Sequence, residues 1–232
     1  MLKRGVSLFF LFILTFAFLQ NRAFLYGQDI LTAEGYLKMV SDHYAGIRDY
    51  EANIVIRSGN QEMIGRVSHL SPKLIRIDFT RPAEQVIVYN GEILTVYLPE
   101  YRAVLNQNIA RGRNQGAGLA SAQGLSLLRN NYVTSFLTGP NPEPLDDNSG
   151  ERVVKLKLTR RSIAEGYREI ILSIDPNSRM IRRIEGRTIA EVDVRFDFTN
   201  IRTNQGIPEQ RFIYDSPPTA SMFNNFLFRD NE

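Results

Sequence analysis

Residues 65–98 read GRVSHLSPKLIRIDFTRPAEQVIVYNGEILTVYL, and their alternation decides the fold class. Lys73–Thr80 puts Ile75, Ile77 and Phe79 on one face and Arg76 and Asp78 on the other. That two-residue period is the mark of a strand with one buried side. Gln85–Tyr89 and Glu92–Leu98 are apolar runs on either side of Asn90-Gly91. Asn-Gly favours a tight hairpin because both residues tolerate positive φ. Glu62–Leu70 supplies another strand ahead of Pro72. Links this short make consecutive strands antiparallel neighbours.

The same grammar extends in both directions. Tyr50–Arg57 alternates Tyr50, Ala52, Ile54 and Ile56 against Glu51, Asn53 and Arg57, then turns at Gly59-Asn60. Tyr101–Asn106 follows a turn at Pro99-Glu100. Further on, Arg152–Thr159, Tyr167–Ile174, Met180–Glu185, Ala190–Asn200 and Gln210–Tyr214 read as strands, with a turn at Asp175-Pro176-Asn177-Ser178. The pattern predicts about eleven strands, each with one side buried and one side wet. No internal repeat or domain-sized linker interrupts them.

Two segments carry a helical period instead. Ala33, Leu37, Val40, Tyr44 and Ile47 recur at spacings of four and three, with Thr32 placed to cap the start and Gly46 to end the helix. Between Ile109 and Gly139, Gly112, Gly116, Gly118 and Gly124 punctuate a stretch that then turns helical. Leu125, Leu128, Tyr132 and Phe136 line one face of this expected helix, and Leu127, Val133 and Leu137 widen it. Tyr101 to Pro142 contains no acid but includes Arg102, Arg111, Arg113 and Arg129. Such a segment suits an anionic lipid or acidic partner surface, or a solvated cationic face. In the loop that follows, Asp146-Asp147 reads as solvated charge, as do the doublets Arg160-Arg161 and Arg182-Arg183.

The first 27 residues have the order of a secretory signal. Lys3 and Arg4 precede an uncharged apolar run, Val6–Leu19, and small and polar residues lead to Gly27. The run is shorter than the roughly 20 residues that cross a bilayer comfortably. Cleavage is expected after Gly27, with an uncleaved N-terminal anchor as the alternative. The whole chain is formally +3, but residues 1–27 hold three basic side chains and no acid. Removing them takes the basic count from 28 to 25, against 25 acidic side chains. Global charge then gives no support for nucleic-acid binding. There is no cysteine. A single exported domain over 28–232 would therefore close on its hydrophobic core, without disulfides.

Catalytic constellations are scarce. His43 and His69 are the two histidines, and without cysteine a His- or Cys-based metal site has almost no ligands. No G-x-S-x-G, Walker A or dinucleotide-binding glycine pattern occurs. The reading gives no catalytic residue, no metal and no cofactor. It gives apolar surplus: strands with one apolar face, and two helical stripes to cover them. Whether the helices fill the inside or leave a cavity, periodicity alone does not decide.

The order of features in 65–98 resembles the signature of the outer-membrane lipoprotein carrier family (LolA-like). Those features are a glycine-led strand at Gly65, Pro72, an aromatic-bearing strand at Phe79, Pro82, an apolar strand at Gln85–Tyr89, Asn90-Gly91, and an aromatic strand at Tyr97. The second half agrees in order from Asp175-Pro176 to Pro217. The resemblance implies a mainly β (α+β) fold: an incomplete antiparallel barrel closed by an α-helical lid over about 109–139, with a hydrophobic cavity between them. It implies a periplasmic carrier that takes lipoproteins, by their acyl chains, from an inner-membrane transporter to an outer-membrane acceptor, acting as a monomer and not as an enzyme. Carried over by position, the cavity would be lined by Ile54, Ile56, Ile75, Ile77, Phe79, Val96, Leu156, Phe196 and Phe198. The lid would present Leu125, Leu128, Tyr132 and Phe136, with the first helix beside it. The family often has an arginine just before the first proline, helping to hold the lid closed; here that position is Ser71. The same fold also serves in periplasmic sensors of lipoprotein and lipid signals, which is the alternative reading.

Overall fold

A computed structural model describes residues 31–109 and 120–226. The expected signal peptide lies outside the described residues, as does 110–119 of the expected lid. Helix α1 (Ala33–Ala45) starts where Thr32 accepts a hydrogen bond from the Gly35 amide, and Gly46 caps its end. Strands β1 (Asp49–Ser58), β2 (Gln61–Leu70), β3 (Leu74–Arg81), β4 (Val86–Tyr89), β5 (Ile93–Leu98) and β6 (Ala103–Asn108) follow. Next come helix α2 (Ala122–Asn131), strand β7 (Tyr132–Phe136) and the short β8 (Glu143–Pro144). The remaining strands are β9 (Arg152–Arg160), β10 (Tyr167–Ile174), β11 (Ile181–Thr188), β12 (Asp193–Thr203) and β13 (Ser221–Asn224).

Twelve of these strands form one continuous ladder in the order β13-β6-β5-β4-β3-β2-β1-β12-β11-β10-β9-β7, with β8 pairing β9 off the path. Every pairing is antiparallel except β13 with β6. Among the described residues the sheet does not close on itself, so the barrel is incomplete. β1 and β2 join through a two-residue turn with Gly59 at φ +55°. The β4–β5 link is three residues long: Gly91 takes φ +96°, and the Asn90 side chain accepts from the Glu92 and Ile93 amides.

The strands turn one face toward the helices. Cross-strand partners share a face, so Phe136, Leu156, Leu172, Ile184, Phe196, Ile56 and Met63 form one row across seven strands. The helices' Leu37, Val40, Leu125 and Leu128 join this inner face in a single buried core.

Four expectations need correcting. The expected lid helix stops at Asn131, and Tyr132 and Phe136 belong to β7, paired with β9. Gln210–Tyr214 is not a strand: Glu209–Phe212 makes a turn of 3₁₀ helix. The outer face is not uniformly wet, because Phe212 packs there against Leu70, Val86 and Val88 in a second small core. Nor are Arg183 and Asp146 free in solvent. Arg183 is buried and donates two hydrogen bonds to Asp146 at 2.6 and 2.8 Å and one to Asp197 at 2.6 Å, while Arg182 pairs with Glu151.

Candidate functional site

All nine expected cavity positions lie on the inner face, but they fall into two groups. Ile54, Ile56, Phe79, Leu156 and Phe198 are buried in the core beneath the helices. Ile75, Ile77, Phe196 and Val96 are only half-buried. Of the expected lid residues, Leu125 and Leu128 are buried on α2. Tyr132 is buried on β7, where its hydroxyl donates to the Tyr167 carbonyl, and Phe136 packs 6.3 Å from the Tyr36 ring.

The division follows from what the helices reach. α1 and α2 pack on each other and on β7. They cover the inner face of β9–β12 and β1, where residues such as Leu156, Leu172 and Ile54 are fully or nearly fully buried. Toward the other end, the row Ala52, Val67, Ile77, Ile87, Val96 and Leu105 runs from β1 to β6. Its last four members stay half-buried. Four strand spacings from β2 to β6 make a wall roughly 19 Å wide. A half-covered apolar wall of this kind keeps a standing free-energy gain for any apolar chain that lies on it, about 0.8 kcal/mol per CH₂ removed from water.

The next row along the same strands is more polar: Tyr50, His69, Ile75, Tyr89, Leu94 and Gln107. Tyr50 stacks on His69 with ring centroids 5.1 Å apart and planes 20° apart. Its hydroxyl donates to the Ala120 carbonyl at 2.8 Å, which fixes the chain just ahead of α2. The neighbouring Tyr44 hydroxyl accepts from the Ile181 amide. Burial raises the pKa of both tyrosines, so they remain neutral. His69 is 4 % exposed, and burial pulls its pKa down to about 4, so it is neutral at pH 7. Neither ring nitrogen has a hydrogen-bond partner among the described residues.

Sequence reasoning missed His69 as an inner-face residue, although its even offset from Val67 and Gly65 on the same strand places it there. It missed Ile87, Leu94 and Leu105 as well; the register of β3–β6 carries that signal. Ser71, in the position of the expected family arginine, is exposed and donates its amide to the Arg48 carbonyl.

Two open grooves of about 440 and 550 Å³ lie elsewhere, on the outer face. Glu51, Asn53, Arg66 and Arg202 line the first, and Asn53, Arg66, Asp78 and Arg211 contribute to the second. Both are open surface features in which charged side chains interrupt an apolar lining that includes Val55 and Ile64 in the second. The apolar inner wall is the better candidate because burying it is what a ligand would gain from. Among the described residues no three His, Asp or Glu side chains gather as a metal site. Among the described residues no acid hydrogen-bonds His69 to orient it as a general base.

An open antiparallel sheet packed on two helices, with part of its apolar inner face left half-covered, defines an incomplete half-barrel. The family model of the outer membrane lipoprotein carrier protein LolA matches residues 56–215, and the chain belongs to that family. Among solved structures, an uncharacterized conserved protein from Thermus thermophilus is similar at 14% identity and TM-score 0.54, over 83% of this chain and 98% of that one. MucB in the Pseudomonas aeruginosa MucA/MucB complex is similar at 13% identity and TM-score 0.50, over 82% of this chain and 62% of the other. At these identities the likeness concerns the fold alone. No curated protein matches the chain.

Proposed function

We propose that this chain is a periplasmic, non-enzymatic carrier that holds the acyl chains of lipoproteins, or of other lipids, against its inner wall and moves them from the inner toward the outer membrane. The observation that carries this reading is the half-buried row Ile77, Ile87, Val96 and Leu105, continuous with a buried core and lying in a chain of the LolA family. The nine cavity positions named from the sequence are proposed to contact the acyl chain, the half-buried ones first. The N-terminal signal would direct export and be cleaved near Gly27, leaving one domain from 28 onward. Among the described residues no helix is long and apolar enough to cross a membrane.

The test is uptake of a fluorescent fatty acid, together with native mass spectrometry of protein purified from the periplasm. A bound lipid or acylated protein supports the reading. A clean apo mass with no uptake overturns it. Ile77→Glu should abolish uptake while leaving the far-ultraviolet circular dichroism unchanged.

A second reading is a sensor that uses the same wall to report a lipid signal to a membrane partner. The fold likeness to MucB, seen in complex with MucA, favours it. Release of lipoproteins from inner-membrane spheroplasts by the added protein supports the carrier. Normal lipid binding with no such release, and a lost downstream response in a deletion strain, supports the sensor.

A further inference from the structure

We infer that His69 is the polar anchor of the binding wall, hydrogen-bonding the uncharged ester or amide linkage of an acyl group whose chain lies along Ile77, Ile87 and Val96. The inference rests on the carrier reading and adds to it the chemistry at the head of the chain.

Three observations converge on the imidazole. It sits on the inner face, one row from the half-buried apolar row and directly opposite Ile75. It is buried, and both ring nitrogens lack a partner among the described residues. Its polar surroundings are already engaged: its stacking partner Tyr50 donates to the Ala120 carbonyl, and Tyr44, against Tyr50, accepts from the Ile181 amide. A buried, unsatisfied imidazole lowers the stability of the empty protein, and an apolar residue of similar volume would avoid that loss. A buried polar group without a partner calls for an explanation, and a ligand group that reaches the ring from the adjoining wall supplies one.

The chemistry also selects the ligand. A neutral imidazole offers one N–H donor and one acceptor nitrogen. An ester carbonyl takes the donor, and a hydroxyl or amide N–H of the same head group serves the acceptor. A carboxylate or phosphate would bring a full charge into this buried setting, where the buried Asp49 charge already acts on the ring. The structure therefore favours a linkage that is polar and uncharged.

The test compares two probes with the same long acyl chain, a monoacylglycerol and the free fatty acid, on the full exported chain and on His69→Leu. The replacement is expected to weaken monoacylglycerol binding about tenfold, to change fatty-acid binding by less than twofold, and to raise the melting temperature of the ligand-free protein. His69→Gln, which keeps a donor and an acceptor, is expected to retain most of the monoacylglycerol affinity. In the wild type, the His69 ring ¹⁵N resonances should move on saturation with monoacylglycerol, a readout that does not depend on any variant folding. Equal monoacylglycerol affinity in wild type and His69→Leu, or unmoved ring resonances, overturns the anchor and leaves the carrier standing. If the wild type takes up neither probe, the carrier reading fails and the anchor with it.

Discussion

The Tyr50 hydroxyl donates to the Ala120 carbonyl across 2.8 Å, so one side chain of the barrel wall holds the chain that enters α2. Ser121 then caps that helix by accepting from the Gly124 amide. Where the family often uses an arginine just before the first proline to hold the lid, this chain has Ser71, pointed to solvent. In this chain it is Tyr50 that ties the wall to the segment entering α2.

Tyr50→Phe keeps the ring and its stack on His69 but removes the donor. The loss of one buried hydrogen bond should cost about 1–2 kcal/mol. Its effect should be local: hydrogen exchange should quicken in residues 122–131, with the amides of β9–β12 unchanged.

The Arg183 cluster predicts an asymmetry between its partners. Arg183 is almost wholly buried, whereas the Asp146 side chain is more than half exposed. Arg183→Met removes one of three arginines that pair with Asp197, leaving Arg57 and Arg195, together with both hydrogen bonds to Asp146, and should cost about 2 kcal/mol in urea unfolding. Asp146→Asn should cost less than about 1 kcal/mol, because water screens the exposed carboxylate. The hydrogen bonds from Arg183 hold the Asp146 carboxyl below its usual range. That contribution is present above the unfolded value and is lost as pH falls through the folded one. The acid limb of the unfolding curve should shrink in Asp146→Asn.

His69 predicts a second, separate acid dependence. Its folded pKa, about 4, lies below the ordinary 6.5 because burial disfavours the charged ring. The unfolded chain therefore binds the proton first. Stability is at its plateau above pH 6.5 and falls as pH drops toward 4, by an amount on the order of 3 kcal/mol if the ring stays buried. Melting temperatures between pH 7 and 4.5 should decline in the wild type and decline less in His69→Leu.

Gly65 predicts a local failure of register. It sits at the bulge between β2 and β3, and a Cβ there would collide with the Asp78 carbonyl oxygen. Gly65→Ala should lower stability by about 2 kcal/mol or more and disturb β2 and β3 before the β9–β12 half. Differential scanning calorimetry combined with strand-resolved amide exchange checks both parts.

Much of the fold is legible in the sequence because strand alternation and turn chemistry agree from Tyr50 to Leu98. The first helix is equally readable, since Thr32 and Gly46 bracket its period. The end of α2 is not, for a definite reason. Leu125 and Leu128 are three apart, which only a helix puts on one face, but Tyr132 and Phe136 are four apart. A spacing of four satisfies a helix and a strand alike. β-branched Val133 and Thr134 tip the balance toward the strand that β9 then pairs. The outer core was also hidden, although Val86-Ile87-Val88-Tyr89 is a continuous apolar run of the kind buried on both faces. The nine inner-face positions follow from alternation once one of them is placed. Which of them stay half-covered depends on where two helices settle, and alternation carries no information about that.

The sheet ends at β7 on one side and at the short parallel β13 on the other, with no ladder joining them among the described residues. A closed barrel has a circumference fixed by its hydrogen bonds, so admitting a thicker guest would mean breaking some. Among the described residues the girth is held by side-chain contact between the sheet and its two helices. Such a wall is expected to yield across its strands before it yields along them, opening at its seam while every backbone ladder stays intact.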